Sequence, residues 1–182
     1  MKSMKRFFSS ATKLERIIDG SDGNNPYKFR SDDATSMESM FDTCNFLESV
    51  DLLYCDTSKV TQMNCMFQDC ASLTEINLSN FKSDSLTTCY RMFIMRDDKE
   101  MLVDGKKIKI SEANRLNRVI FGNLFTCESV TNMQDMFRYY KKIAELDLSY
   151  FNCSGTTKNL NTSGMFYGCS KLEKIYTTEP TD

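Results

Sequence analysis

The dipeptide Met-Phe, recurring at a nearly fixed interval, is the feature that most restricts what this chain can become. Phe41, Phe67, Phe93, Phe137 and Phe166 each follow a methionine, and successive anchors lie 26, 26, 44 and 29 residues apart. A looser N-terminal copy aligns on Phe8, 33 residues before Phe41. Upstream of the anchor the pattern is Val-Thr-x-Met-x-x-Met-Phe, clearest at Val60–Phe67 and Val130–Phe137. Downstream, an aliphatic residue follows at six and nine positions and usually again at eleven. Leu47, Val50, Leu52 and Leu73, Ile76, Leu78 show this, as do Ile143, Leu146, Leu148 and the shorter set Leu172, Ile175. Leu116, Val119 and Phe121 complete the third copy once an insertion is removed.

The two halves of the unit have different periods. Spacing of three, three and one before the anchor fits one face of a helical turn, whereas Leu-x-x-Leu-x-Leu ends in the alternation of a short strand. One such unit cannot bury its apolar stripe alone, so the repeats must stack and bury each stripe against the next. The expectation is one domain over 1–182, an α/β solenoid of the leucine-rich repeat type. It has about six stacked repeats, a parallel sheet on one face and short helical turns on the other. Twelve methionines and thirteen phenylalanines then become core filling.

In full, the unit reads Met-x-x-Met-Phe-x-x-Cys-x-x-Leu-x-x-Leu-x-Leu-Ser-x-Phe, closing on Thr or Ser and Val-Thr. It resembles the BspA-like leucine-rich repeat proteins over nearly the whole chain. That resemblance implies a right-handed solenoid and a role in adhesion or host and cell-surface contact, as in bacterial and protist surface proteins.

Composition narrows the chemistry. Histidine is absent from the 182 residues, which removes the commonest general base, the Ser-His and Cys-His pairs and imidazole metal ligands. No glycine loop for phosphate occurs, and neither an enzyme, a cofactor nor a metal is expected. A net charge of −2 gives no electrostatic footprint for nucleic acid. No apolar run reaches membrane-spanning length and residues 1–20 lack a signal-peptide core. The chain by itself therefore points inside the cell, and the resemblance points to its surface.

Two insertions interrupt the array. Residues 95–113 contain Glu-Met-Leu-Val-Asp-Gly-Lys-Lys-Ile-Lys-Ile, two short strands about the hairpin-forming pair Asp104-Gly105. This β-hairpin is either a binding loop or a solvated decoration. Residues 19–25 form a second, acidic loop; Asn24 and Arg30 stand where a calcium loop needs glycine and glutamate, so an ordinary turn is expected. Cys44, Cys70 and Cys169 each fall three residues after an anchor, a repeat position suited to a small buried residue. Free thiols are favoured there, although Cys44 and Cys70 on adjacent repeats could come within bridging reach.

Strand alternation sends one column of side chains outward. The column Ile18, Asp51, Asn77, Ile120, Asp147, Tyr176 mixes apolar and acidic groups as a recognition strip would. The neighbouring column Arg16, Ser49, Glu75, Arg118, Glu145, Lys174 can pair charges between repeats. The expected protein-binding face is therefore Ile18, Asp51, Asn77, Arg118, Ile120, Asp147 and Tyr176, with a protein as partner. The second reading is a structural or assembly segment of a longer repeat protein with no ligand of its own, self-associating through the C-terminal strand edge. Met133→Asp places a charge inside the stack and should lower stability by several kcal/mol, on the order of a buried unpaired ion. An unchanged thermal midpoint would refute the repeat assignment.

Overall fold

A computed structural model describes residues 2–17, 31–52, 54–148, 151 and 159–177. The expected loop at 19–25, Ile18 and Cys153 lie outside the described residues. Parallel pairing joins β1 (Arg16–Ile17) to β2 (Ser49–Val50), with Arg16 opposite Ser49. A second parallel sheet has the order β3 (Glu75–Leu78), β6 (Arg118–Phe121), β7 (Glu145–Asp147), β8 (Lys174–Tyr176). Within it Ile76, Leu78, Val119, Phe121 and Leu146 point into the core, and Glu75, Asn77 and Arg118 point out.

Opposite the sheet, the anchor phenylalanines form a continuous pile. Phe8, Phe41, Phe67, Phe93, Phe137 and Phe166 stack in chain order at centroid separations of 5.4, 5.3, 5.6, 5.1 and 5.7 Å, with planes within 10° of parallel. These are offset-stacked distances. The four inner rings from Phe41 to Phe137 are wholly buried, as are Met37, Met40, Met63, Met66, Met133 and Met136.

The segments carrying these rings are not helical turns. Among the described residues the one helix is α1 (Ile110–Ala113). Each anchor segment is instead a run of linked turns, with left-handed residues two before and two after the phenylalanine at every anchor but Phe93, where only Arg91 is left-handed. Arg6 and Ser10 take φ of 57° and 63°, Ser39 and Thr43 55° and 63°, Cys65 and Asp69 55° and 58°, and Asp135 and Tyr139 57° and 65°. Around Phe166 the same two positions are Gly164 and Gly168.

Hydrogen bonding explains this choice. An α-helix spends its N–H groups internally, leaving none to join one repeat to the next. Here they alternate. Met40, Asp42 and Cys44 donate back to the carbonyls of Met37, Ser39 and Phe41, closing the turns. Met37, Ser39, Phe41 and Thr43 donate across to Gln62, Asn64, Met66 and Gln68 of the next repeat, at 2.8 to 2.9 Å. The same cross-repeat set recurs from Met63 to Thr88 onward and from Met133 to Asn161 onward. Left-handed backbone costs about 1–2 kcal/mol at a non-glycine residue, and here each such residue sits between two hydrogen-bonded turns.

The threonine of each Val-Thr pair joins repeats as well. Thr35, Thr61, Thr87 and Thr131 each donate both N–H and hydroxyl to the preceding carbonyl in the series Lys2, Thr35, Thr61, Thr87. The cysteines do likewise: the thiols of Cys44, Cys70 and Cys169 donate to the carbonyls of Phe8, Phe41 and Phe137, each at 3.1 Å. Burial pushes the Cys44 thiol up to about 11 and that of Cys70 well above its usual value, so these groups stay protonated donors at neutral pH.

The insertion contains the antiparallel hairpin β4 (Glu100–Val103) and β5 (Lys106–Lys109), turning at Asp104 and Gly105 with φ of 50° and 75°. Two positive φ values at the turn match the right-handed twist of the strands. Its boundaries differ from 95–113 as a surface addition. Met95 is buried and donates its N–H to Arg138 O at 3.1 Å, continuing the repeat. Arg96 takes the position that cysteine fills elsewhere. Its backbone N–H donates to Asp69 Oδ1 at 2.7 Å, its Nε donates to Asp69 Oδ2, and its Nη2 donates to Thr43 Oγ1 at 2.9 Å. Met101 and Ile110 are buried in the core. The base of the hairpin therefore belongs to the stack, while Leu102 beyond it is 59% exposed.

Asp69 has a fully buried side chain, and burial pushes its carboxyl up against the opposing pull of Arg96. Arg96→Ala leaves that carboxylate buried without its cation and should cost about 3 kcal/mol, as broken buried pairs do. Leu102→Ala should stay within about 0.5 kcal/mol. Urea unfolding of the two variants separates them; equal midpoints would place the hairpin base outside the core.

Candidate functional site: the outward face of the sheet

Outward residues on adjacent parallel strands stand close enough to pair. Arg118 on β6 reaches both neighbours, donating Nη1 to Glu75 Oε2 at 3.3 Å and Nε to Asp147 Oδ2 at 3.2 Å. On the next two strands Lys174 Nζ donates to Glu145 Oε1 at 2.9 Å, and Tyr176 Oη donates to Glu145 Oε2 at 2.8 Å. Asn117, Arg118, Glu145, Asp147 and Tyr176 line an open groove of about 440 Å³.

The register here departs from the expected columns. Glu75 faces Arg118 and Glu145 faces Lys174, but Arg118 lies opposite Asp147 rather than Glu145. Strand β7 is thus offset by two residues against β6. A shift of two keeps every side chain on its own face, whereas a shift of one would turn the core outward. Arg118 and Asp147, assigned to different columns from sequence, are therefore partners.

Lys174, then Tyr176, hold the Glu145 carboxyl below its usual range by hydrogen bonding to the charged form. The same contacts raise Lys174 and Tyr176, each chiefly through its hydrogen bond with Glu145. Such exposed ion pairs contribute little to stability. Their effect is to hold long side chains in one arrangement around the Tyr176 ring, which is 47% exposed.

The remaining expected residues are distributed elsewhere. Asp51 and Asn77 line a second cleft of about 310 Å³ together with Val50, Leu52, Ser79, Asn80 and Phe81. It lies where the β1–β2 sheet ends and the larger sheet begins. Ile120 is half-buried and lines neither cleft as described. The seven expected residues thus do not converge: three meet at the β6–β8 groove, two at the sheet break. Glu145 and Asn117 complete the groove without having been assigned to it, and Lys174 bonds Glu145 beside it. The alternating charges of their column were the available signal for Glu145 and Lys174.

Among the described residues, no group of three or more acidic or cysteine side chains is placed to hold a metal ion. No helix is long and apolar enough to cross a membrane.

The family described as "Mycoplasma protein of unknown function, DUF285" matches residues 2–123 and again residues 108–178. The chain belongs to this family. The match spans both sides of the hairpin insertion and is consistent with a BspA-like repeat protein. No curated protein and no solved structure matches the chain.

The Glu145 contacts give a titration test. Because the folded-state value lies below that of the unfolded chain, its contribution is present above the unfolded value and fades as pH falls through the folded one. Lys174→Met should raise the Glu145 midpoint toward the ordinary range, and Tyr176→Phe should raise it by less. Carboxyl carbon NMR across acid pH reads both shifts. A midpoint unmoved in Lys174→Met would show that this pair does not persist in solution.

Proposed function

We propose that this member of the family is a right-handed leucine-rich repeat solenoid of the BspA type. Its parallel sheet serves as a noncatalytic protein-binding surface in adhesion or cell-surface contact. The observation that carries this reading is the groove over β6–β8. A guanidinium shared by two carboxylates, a Lys–Glu pair and an exposed tyrosine are preset there on rigid strands. Tyrosine and arginine are the residue types that dominate protein interfaces, and side chains held before binding lose less freedom on association. Each charged group in the groove is already matched by a neighbour of opposite sign. That balance suits recognition of a polar protein surface and offers no unmatched nucleophile or base.

A second reading, an assembly segment with no ligand of its own, is favoured by the apolar character of the last repeat. Ile175 there is 40% exposed, at the position that Ile76, Val119 and Leu146 bury in the three preceding repeats.

The two separate on the sheet face. A partner is first identified by cross-linking capture on the immobilised chain, and its affinity is then measured for Tyr176→Ala and Arg118→Glu. Loss of an anchor of this kind is worth about 2 kcal/mol or more, which is at least ~10-fold in affinity. Melting temperatures should stay close to the unsubstituted protein. Undiminished binding by both variants would refute the sheet-face reading.

A further inference from the structure

The turn side of the stack, opposite the sheet, carries ion pairs that do not balance. Asp135 has a side chain only 2% exposed, and two guanidinium groups share its carboxylate. Arg91 of the preceding repeat donates Nε to Asp135 Oδ2 at 3.2 Å, and Arg138 donates Nη1 to Asp135 Oδ1 at 3.0 Å. Two positive charges therefore meet one negative charge. The Arg96 cluster is the reverse case, in which one guanidinium bonds Asp69 and stands 3.9 Å from Asp42. The surplus positive charge is thus confined to Arg91 and Arg138.

Both guanidinium planes are held in place. Arg91 lies over the Tyr90 ring at 4.8 Å, and Arg138 lies over the rings of Tyr139 and Tyr167 at 4.7 and 4.5 Å. Stacking of this kind orients a planar cation without consuming its in-plane donors. The next repeat makes room for the carboxylate between them, since a Cβ at Gly164 would stand 2.5 Å from Asp135 Oδ1. Glycine there serves the ion cluster as well as the left-handed turn.

The two arginines differ in what they have left to give. Arg138 commits both Nη groups, one to Asp135 and the other to Tyr139 Oη at 3.1 Å. Arg91 commits only Nε. Its two Nη groups bond no partner among the described residues, and its side chain is 39% exposed. A forked donor with unmatched charge is therefore open to solvent, and such a fork matches the two oxygens of a carboxylate.

We propose that this part of the turn side is a second recognition site, which binds a carboxylate side chain on an acidic segment of a partner protein, with the Arg91 fork as its anchor. An excess of one charge suits a single carboxylate. Nucleic acid and sulfated polysaccharide are held by many unmatched cations at once, and the chain as a whole carries a net charge of −2. Tyr90, Tyr139 and Tyr167 supply the contact surface around the cluster, and tyrosine with arginine dominates protein interfaces. The site shares no residue with the β6–β8 groove, so the sheet-face reading and this one stand or fall separately.

Arg91→Gln removes the surplus charge and leaves Asp135 paired with Arg138, so this variant should melt close to the unsubstituted chain. The probes are a capped 12-residue peptide of glutamate, leucine and serine, and the same peptide with glutamine in place of glutamate. Each is titrated into the full chain and followed by NMR at the arginine Nε–H groups and the Tyr90 ring. The glutamate peptide should give a saturable shift at Arg91 and Tyr90. Binding should be at least ~10-fold weaker with the glutamine peptide, and as much weaker on Arg91→Gln read at Tyr90, as expected when charge-assisted hydrogen bonds are lost. Arg118→Glu on the sheet face should leave the titration unchanged. Equal binding of the two peptides, or undiminished binding by Arg91→Gln, overturns the proposal. Saturation by inorganic phosphate or heparin without any by the glutamate peptide overturns it in favour of another anion. Loss of the fold in Arg91→Gln would make Arg91 a structural partner of Asp135 and overturn it as well.

Discussion

Stacking of one phenylalanine on the next, with the alternating hydrogen bonds that flank it, is the constraint on which the rest of this structure depends. The rings fix the distance between repeats, and the backbone around them commits every other N–H to the neighbour. That second requirement excludes a helix and brings in two left-handed residues around every anchor but Phe93. It also accounts for the small or polar side chains at several of those positions and for the glycines of the last repeat. Threonine hydroxyls and cysteine thiols join the repeats in the opposite direction, each donating to a carbonyl of the preceding repeat. Because these interactions recur at every step, the loss of one repeat's contacts is felt by both its neighbours, as expected of a quasi-one-dimensional array.

The hairpin insertion shows how robust that stack is. Phe93 and Phe137 are separated by 44 residues, yet their rings are 5.1 Å apart, the shortest spacing in the pile. The entropic cost of a longer loop grows only slowly with its length, so the added segment need not disturb the repeat contact. The chain leaves the array after Met95, where the second left-handed residue of the other repeats is missing. Arg96 fills the cysteine position and satisfies the buried Asp69. A second anchor lies nearby, where Lys141, then Ser111, hold the Asp97 carboxyl down at about 2.

On the opposite face the same stacking produces the candidate site. Strands held side by side bring side chains from successive repeats into pairing distance, so a groove arises wherever their charges and sizes differ. Arg118 bridging Glu75 and Asp147, with Glu145 held by Lys174 and Tyr176, converts four separate strands into one ordered polar surface. The break between the β1–β2 sheet and the larger sheet creates the second cleft.

Much of this was legible in the residues alone. The repeat, the inward positions such as Ile76 and Leu78, the hairpin at Asp104-Gly105 and the buried cysteines all follow from periodicity and local turn chemistry, which depend on neighbours along the chain. The three-three-one spacing of Val60, Met63, Met66 and Phe67 determined which side chains face inward. It could not distinguish a helix from linked turns, because both place those residues on one side. That choice depends on whether N–H groups bond within the repeat or across it, a property of the stack. The two-residue offset of β7 and the pairing of Arg118 with Asp147 were likewise decided only in three dimensions, since shifting a strand by two preserves the inside-outside alternation that sequence reveals. Sequence thus determined which residues are buried and which are displayed, and tertiary packing decided which displayed residues meet.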